Sequence, residues 1–157
     1  MLAAALAAAA LLPAQGVLVP TQSLAGVRLG DTPAQVRAVV GSGYQRCRPC
    51  AAPTWFYFRT NGFQGAETGL GVTFRSGRVV AVFTLGMPRG WRTTAGIRVG
   101  DDQHRLAKLY GSSLKLTPCI GFMAHSMRRA STVTTYFTQD AFVSGFALTR
   151  PGETVCR

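Results

Sequence analysis

The residues best suited to chemistry are few and lie far apart. Cys47-Arg48-Pro49-Cys50 is a CxxC motif, the arrangement used in thiol–disulfide exchange. Such chemistry needs a thiolate, and a helix N-terminus at the motif is what lowers the thiol pKa. Here the motif follows the expected end of a helix and runs into Ala51-Ala52-Pro53. A structural bridge is therefore the favoured reading, with a thiol oxidoreductase acting through Cys47 as the alternative. A zinc site would need Cys119 and Cys156 as further ligands, and their spacing forms no second knuckle, so no metal is expected. The two histidines, His104 and His125, have no nucleophile or orienting carboxylate at a motif spacing. Of the six acidic residues, Asp31, Asp101, Asp102 and Asp140 read as turn and cap residues. Glu67 and Glu153 remain, too few for paired-carboxylate catalysis. The glycine-rich residues 61–71 precede a strand and lack the Lys-Ser/Thr end of a phosphate loop. No catalytic residue and no cofactor is expected, and the chain reads as a non-enzyme.

The aromatic residues suggest recognition instead. Trp55, Phe56, Tyr57 and Phe58 are consecutive, so a strand there puts rings on both of its faces. One face packs against a helix; the other is either covered or left to bind. Trp55 and Tyr57, with Arg59 and Arg75 nearby, have the aromatic-plus-Arg character of interaction hot spots. That reading expects Trp55 or Tyr57 to be substantially exposed. The alternative is that the rings are core.

The formal charge is +11, and Arg supplies all but two of the seventeen cations. Arg pairs with carboxylate or phosphate as a fork. A basic face could hold an anionic polymer, an anionic lipid surface or an acidic protein. The cations are scattered, the tightest groups being Arg89, Arg92 and Arg98 and the pair Arg128-Arg129. No dense basic run of the kind expected for nucleic acid occurs, so no specific nucleic-acid partner is expected.

The elements that must position these residues show an internal duplication. Residues 26–41 (GVRLGDTPAQVRAVVG) return as residues 96–111 (GIRVGDDQHRLAKLYG). Val36, Val39 and Val40, like Leu106, Leu109 and Tyr110, have the spacing of one helical face. Thr32-Pro33-Ala34-Gln35 fits a capping box, and Asp102 takes the cap position in the second copy. Residues 70–75 and 78–85 flank Ser76-Gly77, a hairpin signal; residues 132–138 and 141–149 flank Gln139-Asp140. Residues 55–59 and 122–127 are candidate first strands. The expected fold is α+β: two tandem α-β-β-β repeats, residues 24–90 and 91–157, with antiparallel sheets and the helices packed on one face as one compact unit.

Residues 1–16 carry an Ala/Leu run and the small-x-small triplet Ala14-Gln15-Gly16, the pattern of a secretory signal peptide, although no Lys or Arg precedes the run. The run is too short to span a membrane comfortably, and no transmembrane span is expected in the mature chain. In an exported chain four cysteines suggest two disulfides, with three pairings possible. The favoured pairing is local for Cys47 with Cys50, leaving Cys119 with Cys156.

The string on residues 26–41 resembles the repeat of secreted β-lactamase-inhibitor-protein-like modules and of the related SmpA/OmlA envelope domain. Asp102 and Arg105 stand in the second copy where that pattern has Thr and Gln. The resemblance implies a curved sheet made by both copies, with a concave face able to dock a protein. It carries over no inhibitory residue. The sequence thus describes a secreted binding module for an extracellular or envelope protein. An envelope-associated basic protein held on anionic polymer or lipid is the alternative.

Overall fold

A computed structural model describes residues 16–60 and 62–157. Of the expected leader, residues 1–15 lie outside the described residues. Gly16 lies within them, its carbonyl accepting from Arg92 N–H at 3.0 Å.

The chain is mostly β. In order come β1 (Val17–Val19), β2 (Ser23–Leu24), α1 (Pro33–Val40), β3 (Gln45–Arg46), β4 (Thr54–Thr60), β5 (Glu67–Arg75), β6 (Arg78–Leu85) and β7 (Arg92–Thr93). The second part holds α2 (His104–Tyr110), β8 (Lys115–Cys119), β9 (Phe122–Arg129), β10 (Thr132–Gln139) and β11 (Phe142–Thr149). Eight strands form one antiparallel sheet in the order β3-β4-β5-β6-β11-β10-β9-β8. A small second sheet, β2-β1-β7, pairs β1 with β7 in parallel.

This overturns the expectation of two α-β-β-β repeats. Four strands of the large sheet, not three, follow each helix, because the short strands β3 and β8 add themselves at the two edges. The β6–β11 pairing makes the sheet continuous. Residues before β3 and around β7 build the separate small sheet. What is duplicated is local. Asp31 accepts Arg28 N–H at 2.8 Å, and Asp101 accepts Arg98 N–H at the same distance. Gly30 N–H then donates to Val79 O at 2.8 Å on β6, and Gly100 N–H to Val143 O at 2.7 Å on β11. Each copy of the string is a turn that docks a helix onto one of the two central strands.

Both helices are too short to hold alone and depend on that docking. In α1 the capping box forms: Gln35 N–H donates to Thr32 Oγ1 at 3.2 Å, and Thr32 N–H to Gln35 Oε1 at 2.8 Å. At α2 the cap position falls one residue later than expected, on Gln103, which makes no side-chain cap bond; Asp102 just before it accepts His104 N–H at 2.8 Å. Val36 and Val40 of α1 and Leu106 of α2 enter one core with Trp55, Tyr57, Leu70, Val72, Tyr136 and Phe146. A second, smaller cluster of Ala81, Phe83, Ala124, Phe137 and Ala147 lies on the opposite face of the sheet, away from both helices. Both edges resist pairing with another chain. β3 is two residues long, and β8 carries Lys115 and Pro118.

Candidate functional site

Strand alternation decides which aromatics face where. Trp55 and Tyr57 point to the helix side and are 7% and 1% exposed, so the expectation that one of them is substantially exposed is corrected. The cause is direct. Tyr44 stacks on Trp55 with ring centroids 3.8 Å apart, and Tyr57 OH donates to Gly41 O at 3.1 Å beneath the end of α1. Burial, with Tyr44 adding to it, pushes the Tyr57 phenol up to about 12. Arg59 shares that side of β4 and is half-buried. Arg75, exposed at the end of β5, is held by Glu153 through Nε at 2.7 Å. The four sequence-predicted binding residues therefore form no common open surface. Trp55 and Arg75 do line one cleft together.

Phe56 and Phe58 occupy the alternate positions on β4 and are partly exposed on the helix-free face, with ring centroids 5.8 Å apart. Phe56 is the register partner of Gly71, and Phe58 of Gly69. Leu85, Phe122 and Val155 pack at the margins of the cluster on that face. A cleft of about 550 Å³ opens there, with Ala52, Phe56, Phe83 and Leu85 on its apolar side and Arg75, Glu153 and Arg157 on its polar side. A smaller one of about 140 Å³ lies between Met87, Phe122 and Phe137, and Arg157 lines both.

The segment that follows β11 crosses this face. Arg150 N–H donates to Val80 O at 2.8 Å. Glu153 then sits between Arg75 and Arg157, whose terminal nitrogen is 3.2 Å away. Those two guanidinium groups, Arg75 first, hold the Glu153 carboxyl below its ordinary range. The Arg157 guanidinium lies over the Phe83 ring at 5.4 Å. Cys156 is joined to Cys119 at the far edge of the sheet, and Cys47 to Cys50. Both disulfides are those expected. They fit a protein that folds in an oxidising compartment. Among the described residues no helix is long and apolar enough to cross a membrane.

Other candidates for chemistry stand apart. Cys47–Cys50 lies in the loop between β3 and β4, not at a helix start. His125 is buried, its Nε2 2.9 Å from Thr138 Oγ1, and burial lowers its pKa. The Nδ1 of exposed His104 is 2.7 Å from Asp102, with the contact serving the start of α2. Among the described residues no group of three or more His, Cys, Asp or Glu could hold a metal ion. Exposed cations occur on both helices, at both edge strands and in the turns, for example Arg37, Arg46, Arg98, Lys108 and Lys115. Comparison with the models of known protein families, with curated proteins and with solved structures returned no match.

Proposed function

We propose that the chain is an exported, non-enzymatic module that docks a protein through the helix-free face of its large sheet. One observation carries this reading. Both helices contribute their buried side chains to the core on one side. The other side presents Phe56, Phe58, Leu85 and Phe122 only partly covered, beside an apolar cleft. Partly open aromatic surface rimmed by Arg is the composition of protein interfaces. Two disulfides and the Ala/Leu-rich residues 1–12 support export, and the resemblance of residues 26–41 to secreted inhibitor-like and envelope modules points to the same class of partner.

The test is affinity capture from the producer's extracellular and envelope fractions. The baits are the wild-type protein, the double variant Phe56→Asp/Phe58→Asp, and Val39→Asp on the exposed side of α1, each shown first to unfold cooperatively. A protein captured by the wild type and Val39→Asp but lost from the double variant is the expected result. Equal capture by all three overturns the assignment of the face.

A further inference from the structure

A third cleft, of about 370 Å³, lies on the other side of β4, where β3 meets the tip of the β5–β6 hairpin. Its floor is made by Trp55 and Phe74, whose ring centroids are 4.7 Å apart. Pro33 and Pro53 wall it, and Arg46 and Arg75 stand at its rim. No carboxylate is among the residues that line it. Its volume falls in the ordinary range of small-molecule sites, and its plan is theirs too: apolar walls with a few polar groups at one end.

The nearby carboxylates are already engaged. Asp31 accepts the Arg28 N–H, and Glu153 is shared by Arg75 and Arg157. Glu153 takes Nε of Arg75 at 2.7 Å and one terminal nitrogen at 3.5 Å. The other terminal nitrogen has no protein partner among the described residues, and neither does the Arg46 guanidinium. The parts are also fixed in advance. Tyr44 stacks on Trp55, Cys47 is tied to Cys50, and Glu153 orients Arg75. A site held in this way loses little freedom on binding.

We propose that this cleft binds a small organic carboxylate, its flat apolar body against Trp55 and Phe74 and its carboxylate paired with Arg46 and Arg75. The free guanidinium fork of Arg46 matches a carboxylate, and Arg75, whose Nε and one terminal nitrogen are held by Glu153, adds the N–H donors of its other terminal nitrogen. The floor of the site lies on the helix side of the sheet, and only Thr54 and Arg75 are shared with the cleft on the opposite face, so the site goes beyond protein docking there and does not rest on it.

Naphthoate is a suitable probe, with naphthalenemethanol as the same body uncharged and acetate as the head alone. The chain has two tryptophans, so the indole N–H signals in a heteronuclear NMR spectrum are two. Trp55 lines the cleft, whereas Trp91 is 1% exposed and packs against Gly16 elsewhere. Naphthoate should shift the Trp55 signal saturably and leave Trp91 unmoved. The alcohol and acetate should each bind at least roughly tenfold more weakly, and Arg46→Gln and Arg75→Gln should each weaken naphthoate by roughly five- to tenfold. Both substitutions are at exposed positions, and an unmoved Trp91 signal checks that the fold is kept. Absence of saturation, equal binding of the alcohol, equal shifts at both indoles, or wild-type affinity in both variants would each overturn the proposal.

Discussion

The ring of Phe83 occupies the space that a side chain on Gly71 would need. The two residues are register partners on β5 and β6, and a Cβ built on Gly71 runs into the far edge of that ring. A residue with no side chain thus lets an aromatic lie across the helix-free face. Gly71→Val should cost about 1–3 kcal/mol through overpacking. In a Phe83→Leu background the cost should shrink, because the obstructing ring is gone. Urea unfolding of the four proteins of this cycle measures the coupling. Equal costs in both backgrounds would show that the ring does not decide the matter.

Glu153 pins the segment after β11, and its carboxyl pKa is depressed, chiefly by the hydrogen bond from Arg75. A carboxylate depressed in the folded state stabilises fully above its unfolded value, near about 4.3, and loses that effect as pH falls through the folded value. Glu153→Gln should therefore be less stable than wild type at neutral pH, and the two should converge in acid. Stability curves measured from pH ~7 down to pH ~3 check the sign.

Tyr57 and Tyr136 predict the opposite behaviour in alkali. Burial pushes the Tyr57 phenol up to about 12 and raises Tyr136 as well, whose OH donates to Tyr110 OH at 2.8 Å. An unfolded phenol ionises near about 10, so the folded state holds its proton longer. Stability from these groups is complete below about pH 10 and declines as pH rises toward the folded values. Wild type should lose stability in that window. The double variant Tyr57→Phe/Tyr136→Phe, less stable at pH ~8 through two lost hydrogen bonds of about 1 kcal/mol each, should show a flatter decline.

The two disulfides should differ in worth because they close loops of different length. Cys119–Cys156 spans a sequence separation of 37 and Cys47–Cys50 one of 3. Loop-closure entropy gives about 4 kcal/mol for the first and about 2 kcal/mol for the second. Paired Cys→Ala variants, compared by denaturant unfolding, should rank in that order. The Cys119/Cys156 pair should also lose hydrogen-exchange protection at Arg150, the anchor to β6.

Local features were legible in the sequence, and non-local ones were not. The Thr32–Gln35 capping box and the Ser76-Gly77 turn depend on neighbours a few residues apart, and both form where expected. The second hairpin turn lies one residue later than expected, at Asp140-Ala141, both with positive φ. The edge strands β3 and β8 and the small sheet carry no local sequence signal. β3 is two residues long, and β1 pairs with β7 across most of the first part of the chain. The run from Trp55 to Phe58 shows the limit most clearly. Four consecutive rings offer no period, so nothing in the sequence says which alternate pair is covered, and one residue of register exchanges Trp55 and Tyr57 for Phe56 and Phe58. Arg46 and Phe74 join Trp55 and Arg75 only through the β3–β4–β5 pairing.

The most direct test of the docking face is hydroxyl-radical footprinting of the protein alone and with its captured partner. Phe56, Phe58 and Leu85 should be oxidised in the free protein and protected in the complex, while Val39 and Leu109 on the outer sides of the helices should label equally in both. Protection at Val39 and Leu109, with Phe56 and Phe58 unchanged, would contradict docking through this face.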